Sequence, residues 1–313
     1  MNGKPRIRVG ICIGGVAALA VWLGAAGCAS MPKVTEVVTA VGVATGQITE
    51  EEAASAVRVA QAAAAAAEEI TPVQEYYLGR AVAARLLATY RPYDHPVLNA
   101  YVNQVGQALA LASDRPETYG GYRFLVLDSD EINAFAAPGG LILVTRGMLA
   151  LCRTEDQLAA VLAHEIGHVQ HRHGLQAIRK SRLTTALTTA AVEAGRTWGK
   201  AELAEALSAF EGAIDDITQT LVVNGYSRAA EREADAAAVT ILARVGYDPS
   251  ALVEMLKEME RRLKPGGLDF AKTHPPPNDR IRHIRPAVEK APPGAPATAE
   301  RKRRFHEATA SLR

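Results

Sequence analysis

The stretch Val161-Leu162-Ala163-His164-Glu165-Ile166-Gly167-His168-Val169 decides how this chain reads. Apolar residues surround two histidines spaced by one helical turn, so a helix projects both imidazoles from the same face. Two neutral imidazoles at that spacing suit a tetrahedral Zn²⁺. The glutamate directly after the first histidine stands where it can take a proton from an attacking water. The competing interpretation is a helix that happens to expose two histidines. The glutamate and the helical setting favour the metal. Leu158, Val161, Leu162 and Ile166 supply a face to bury, and Thr154-Glu155-Asp156-Gln157 has the form of a capping box at the helix start.

Two histidines leave Zn²⁺ under-coordinated, because catalytic sites use three protein ligands and keep one position open. The segment His171-Arg172-His173-Gly174 has histidine where long-motif zinc peptidases carry glycine, and glycine where they carry their third histidine. Spacing excludes that class, and His171 and His173 read as helix-end residues or as residues behind the ligands. A third ligand is sought in Tyr226-Ser227-Arg228-Ala229-Ala230-Glu231-Arg232-Glu233-Ala234-Asp235. Ser227 can cap a helix that runs through Leu242 and ends near Gly246. Glu231 and Asp235 share one face of it, while Glu233 points elsewhere. A carboxylate on the metal, with a second one holding a ligand histidine by its other nitrogen, is a common arrangement. The alternative is an exposed charged helix with pairs such as Arg228–Glu231.

Composition is that of a globular chain: 313 residues, 48% hydrophobic and 22% charged, enough for a sizeable core. A net charge of +1 gives no reason to expect nucleic acid as a partner. Cys12, Cys28 and Cys152 lack zinc-finger spacing, no disulfide is expected among them, and Cys152 reads as core. Lys4, Arg6 and Arg8, the apolar run Val9 to Leu23, and Ala25-Ala26-Gly27-Cys28 form a secretory signal. It resembles a bacterial lipoprotein signal with Cys28 as the lipidated first residue, and Ala29 resembles sorting to the outer membrane. A retained N-terminal membrane helix or a signal without lipid are the competing readings.

Four regions follow: a signal peptide over 1–27, an alanine-rich spacer over 28–70, a catalytic domain over 71–288, and a flexible basic tail over 289–313. Thr49-Glu50-Glu51-Glu52 opens a helix through the Ala62–Ala67 run, and Thr71-Pro72-Val73-Gln74 opens another that ends near Tyr90. Asp94-His95-Pro96 begins a third, with Val97, Tyr101, Val105 and Leu109 on one stripe. Tyr122 to Leu127 has strand character, Asn133 to Gly140 is turn-like, and Leu141 to Thr145 is a second β-rich run. Gly139 and Gly140 allow a close backbone approach, or simply a plain hairpin. An extended substrate adding to the edge near Leu141 to Thr145 is the expected mode of peptide binding. The residues 175–223 form a helical insertion between the two halves of the site.

The motifs together resemble the HtpX-like zinc metallopeptidases, gluzincins related to the CAAX prenyl proteases, and in layout their BepA-like and LoiP-like periplasmic members. The resemblance runs from Tyr77 to Arg285 and rests on Asn133–Gly140, His164-Glu165-Ile166-Gly167-His168, Glu231 with Asp235, and Thr273-His274-Pro275 followed by Arg280-Ile281. It implies a predominantly helical α+β fold, with a small sheet packed on the active-site helix. It also implies one Zn²⁺ per chain on His164, His168 and Glu231, Asp235 behind them, and Glu165 as general base. Asn133, Ala134, Gly139, Gly140 and Arg280 are the candidate substrate contacts. A histidine like His274 closes on the zinc in some relatives and stabilises an oxyanion in others, and it is equally a turn residue in a proline-rich loop. The implied activity is endopeptidase cleavage of unfolded or misassembled envelope proteins, on the periplasmic face of the outer membrane, with the outer-membrane assembly machinery as a further partner. The alternative is a non-catalytic lipoprotein, a chaperone or scaffold whose zinc is blocked by its own chain.

Overall fold

The computed structural model describes residues 31–46, 48–51, 53–54, 56–57, 70–176, 214–215, 217–262 and 274–312. Cys12 and Cys28 with their signal, the Ala62–Ala67 run, Thr273 and most of the 175–223 insertion lie outside the described residues. The chain forms two compact units. One comprises residues 1–69 and 182–205 and holds helix α1 (Met31–Ala44). Within it the Ala53 amide donates to the Thr49 carbonyl at 3.0 Å, a first helical turn where the Thr49 box announces one.

The other unit, residues 70–181 and 206–313, carries everything that follows. Helix α2 (Pro72–Thr89) opens on a complete capping box: the Gln74 amide donates to Thr71 Oγ1 at 3.3 Å, and Thr71 N–H donates to Gln74 Oε1 at 2.9 Å. Helix α3 (Pro96–Leu111) starts at His95, whose Nδ1 accepts from the Leu98 amide, so this histidine is a cap. Leu98, Tyr101, Val102, Val105 and Leu109 form the buried stripe of α3. Val97, expected on that stripe, is 64% exposed, because the face turns one residue further round.

Strands β1 (Arg123–Leu127), β2 (Ala134–Ala137) and β3 (Leu141–Thr145) form a sheet in the order β1-β3-β2, with β1 parallel and β2 antiparallel to β3. Two expectations are corrected here. Four residues of the turn-like segment are a strand, and only Pro138–Gly140 make the turn, with Gly139 at φ 76° and Gly140 at φ 95°. Both sit in the left-handed region that glycine enters without steric cost. The pair makes the hairpin turn and also a close approach, since a Cβ on Gly139 would stand 3.1 Å from the Tyr76 Cα of α2. In addition, β3 is the central strand, so Leu141 to Thr145 offers no edge to a substrate.

The outer side of β1 is closed by amide side chains from α3. Asn103 accepts from the Phe124 amide at 3.0 Å and donates to the Phe124 carbonyl, Asn99 accepts from the Val126 amide at 2.9 Å, and Gln107 donates to the Tyr122 carbonyl. These three residues recur every helical turn, so one face of α3 satisfies a strand edge that would otherwise invite pairing. Among the described residues, β2 is left as the sheet edge without a strand partner.

Helices α4 (Arg146–Leu151), α5 (Glu155–Gln170), α6 (Arg228–Val245), α7 (Ser250–Arg262), α8 (Pro277–Lys290) and α9 (Ala299–Thr309) complete the unit. Every residue of α5 from Gln157 to Val169 is buried, so the helix bearing the histidines runs through the middle of the core. Thr154 caps it through the Gln157 amide, but Gln157 Oε1 turns to the Arg153 amide, so the expected box closes on the neighbouring residue. A Cβ on Gly167 would stand 2.8 Å from the Ala234 carbonyl oxygen, which shows how closely α5 and α6 approach. The predominantly helical α+β fold, with its small sheet against α5, is the one expected.

The C-terminal region is a further correction. Residues 299–309 form α9, with Phe305 and Ala308 in the core. Arg304 bonds Glu155 at the start of α5, and Tyr101 and Tyr247 donate to the same carboxylate at 2.7 and 2.8 Å. Arg304, read as part of a loose tail, thus pairs with a buried acid, and the proline-rich segment before it is tied down where the Ala295 amide donates to the Gly246 carbonyl.

Candidate metal centre

The core position of α5 sets the centre. His164 and His168 lie one turn apart with Nε2 atoms 3.1 Å from each other, and both are buried. Helix α6 starts at Ser227, whose Oγ accepts from the Ala230 amide, and ends at Gly246 in the left-handed region. Its first turn brings Glu231 to the histidines: Oε1 is 3.4 Å from His168 Nε2 and Oε2 is 3.6 Å from His164 Nε2. Ligands on a tetrahedral zinc at bond lengths of about 2.0–2.1 Å stand roughly 3.3 Å apart, so these separations fit one ion. His274, which precedes α8, completes the group. Its Nδ1 lies 2.8 Å from Glu231 Oε2, and the ligand atoms of all four residues fall within 4.8 Å of one another.

The charge states suit metal binding. Burial lowers His164 to about 3, helped by the Arg280 guanidinium, and burial also lowers His168. Both imidazoles are therefore neutral at neutral pH. Burial opposes ionisation of Glu231, yet the His274 and His168 imidazoles hold its carboxyl well below the usual range. A set of neutral nitrogens and one carboxylate is a donor chemistry that fits a zinc-type ion.

Each metal-facing histidine is held from behind. Asp235, one turn after Glu231, places Oδ1 3.0 Å from His164 Nδ1, and Arg280 from α8 holds that carboxylate by two bonds of 2.6 and 3.0 Å. Arg280 is itself buried, with Nη2 3.1 Å from His164 Nδ1. It stands behind His164 and also lines an open cavity of about 320 Å³ with Glu231, Asp235 and Pro275. His168 Nδ1 meets His173 Nδ1 at 2.9 Å, and His173 Nε2 meets Glu233 Oε2 at 3.0 Å. Glu233, expected to point away from the site, thus reaches it through His173. The Tyr226 ring stacks on His168 with centroids 4.3 Å apart, a contact that no spacing rule indicates.

Glu165 is buried, and its Oε1 has no hydrogen-bond partner among the described residues. Burial raises its carboxyl to about 8 and the Glu231 charge adds to the effect. A dication beside it acts in the opposite direction. Glu165 faces a cavity of about 10 Å³ shared with Ala134, Phe135 and Ala136 of β2, Tyr226 and His274, barely room for one water. Ala134 is therefore at the site. Asn133 is buried and spends its Oδ1 on the Ala134 amide. Gly139 donates its amide to Glu75 of α2 at 3.1 Å, and Gly140 packs against Thr118 and Tyr122. These two glycines serve the hairpin and its contacts, not the cavity.

Peptidase family M48 matches residues 96–288 of this chain. The beta-barrel assembly-enhancing protease of Escherichia coli K12 is 27% identical over 242 residues, 77% of this chain and 49% of that protein. The mitochondrial metalloendopeptidase OMA1 of Schizosaccharomyces pombe is 30% identical over 202 residues, 64% of this chain and 54% of that protein. The metalloprotease LoiP of Escherichia coli K12 is 26% identical over 162 residues, covering 52% and 61% of the two chains. The chain spans about half the length of the curated relatives it matches first.

Proposed function

The chain belongs to peptidase family M48, and from that premise we propose that it is a zinc-dependent endopeptidase. His164, His168 and Glu231 would hold one Zn²⁺, with Asp235 fixing His164. Bound there, the ion supplies Lewis acidity, acidifying water and polarising a carbonyl. Glu165 accepts the proton of the attacking water at Oε1 and returns it to the leaving amine. Substrate backbone pairs with the edge of β2, where Ala134 lines the cavity beside Glu165. His274 has to swing away to admit it. The observation that carries this reading is the unpartnered, buried Oε1 of Glu165 beside three neutral or anionic donors suited to a metal.

Two relatives are named for enhancing beta-barrel assembly, and we propose unfolded or misassembled envelope proteins as substrates here, with the outer-membrane assembly machinery as a partner. The proposed location is the periplasmic face of the outer membrane, through a lipid on Cys28. No helix among the described residues is long and apolar enough to cross a membrane. Mass analysis of the mature N-terminus tests the anchor, and an unmodified Cys28 defeats it.

The catalytic reading is tested on the purified chain with casein as substrate. Glu165→Gln is expected to lose at least about 100-fold in cleavage while keeping its metal. Equal cleavage by both forms overturns it. A second reading, a scaffold permanently closed by His274, is favoured by the His274–Glu231 contact and predicts no cleavage by wild type under any condition.

A further inference from the structure

We infer that Glu233 and His173 are positioning residues for His168, fixing which of its nitrogens carries the proton. The inference rests on the metal-centre reading above. His168 Nδ1 and His173 Nδ1 lie 2.9 Å apart, a distance at which one must donate and the other accept. Glu233 decides which. An ordinary carboxylate is ionised at neutral pH and can only accept, here at 3.0 Å from His173 Nε2. The single proton of a neutral His173 ring therefore sits on Nε2. A bare His173 Nδ1 then accepts, so His168 donates from Nδ1 and its Nε2 keeps a lone pair. That Nε2 is the atom facing Glu231 and His164.

Without Glu233 the opposite arrangement is open. His173 could then carry its proton on Nδ1 and donate, which moves the proton of His168 onto Nε2, where it competes with the metal. The chain Glu233–His173–His168 does for one ligand what Asp235 does at 3.0 Å for His164. The stacked Tyr226 ring restricts rotation of His168, so the hydrogen bond and the stack together define its orientation. Glu233 is half exposed while His173 is buried, so the far end of the chain can be altered without opening the core.

The test measures zinc affinity by competition with a chromophoric chelator, together with the melting temperature of the metal-free chain. Glu233→Ala should weaken zinc binding by about tenfold or more with the metal-free melting temperature unchanged. Glu233→Asp should recover part of the loss, and His173→Asn, which keeps an acceptor for His168, should bind more tightly than His173→Leu. Wild-type affinity in Glu233→Ala overturns the inference, as does a loss matched by a fall in metal-free stability, which marks a merely structural role. If wild type itself binds no zinc, the metal-centre reading fails and this inference with it. Tight binding by wild type and Glu233→Ala alike removes the inference alone.

Discussion

His274 Nδ1 lies 2.8 Å from Glu231 Oε2, which places a third imidazole against the carboxylate that the two helix histidines need. On the zinc proposed above, His274 would be a fourth donor in the position that a catalytic site keeps open. Opening the site therefore means breaking this contact. His274→Ala should keep its metal on three ligands and cleave casein faster. If the closed form accounts for about nine-tenths of the wild type, the gain is about tenfold. Metal content and initial cleavage rates check it. A fall in rate with metal retained would instead assign His274 to stabilising the reacting carbonyl.

Gly167 is where α5 and α6 come closest, since an added Cβ would meet the Ala234 carbonyl oxygen at 2.8 Å and its Cα at 2.9 Å. The obstacle is backbone and cannot rotate aside. Gly167→Ala should cost about 1–3 kcal/mol and move Glu231 off the histidines, weakening zinc binding as well. Thermal melts with and without metal check this, and a stability loss with zinc affinity intact would show that the helices give way elsewhere.

What could be read from the residues alone follows from the range of each interaction. That His164 and His168 share one face, and Glu231 and Asp235 another, could be read because helical spacing fixes which residues lie together. The β2 strand was not, because Ala134-Phe135-Ala136-Ala137 is buried on both faces and shows no alternation. Strand order was equally hidden, since nothing local says that β3 lies between β1 and β2. Glu233 reads as pointing away from the site because its partner, His173, arrives from the end of another helix, 60 residues away in sequence. The tail misled for the same reason: Arg304 looks solvated until Glu155 is brought to it.

Arg280 and Asp235 form a buried pair behind His164, each with under a tenth of its surface exposed. Removing the cation leaves a buried carboxylate whose charge only His164 can answer. Arg280→Ala should cost about 3–5 kcal/mol, and Arg280→Lys should rescue little, because an ammonium cannot make the two parallel bonds to Asp235. Urea unfolding of the metal-free chain checks the ordering. Full rescue by lysine would mean that charge alone matters there.

Glu155 gives the fold an acid sensitivity remote from the metal. Burial alone would raise its carboxyl, but hydrogen bonds from Arg304, Tyr101 and Tyr247 outweigh that and hold it below the ordinary value. A folded-state pKa below the unfolded value of about 4.3 means that the stabilisation is present above that pH and lost as pH falls through the folded value. Glu155→Gln should therefore be less stable than wild type at pH 7 by about 1.5–3 kcal/mol, the range for hydrogen bonds to a charged group. Below about pH 4 the two should converge as the wild-type carboxyl takes up its proton and α9 loosens from α5. Urea titrations at pH 7, 5, 4 and 3 measure the gap. A gap that stays constant down to pH 3 would show that α9 is held by Phe305 and Ala308 in the core, and not by the charge on Glu155.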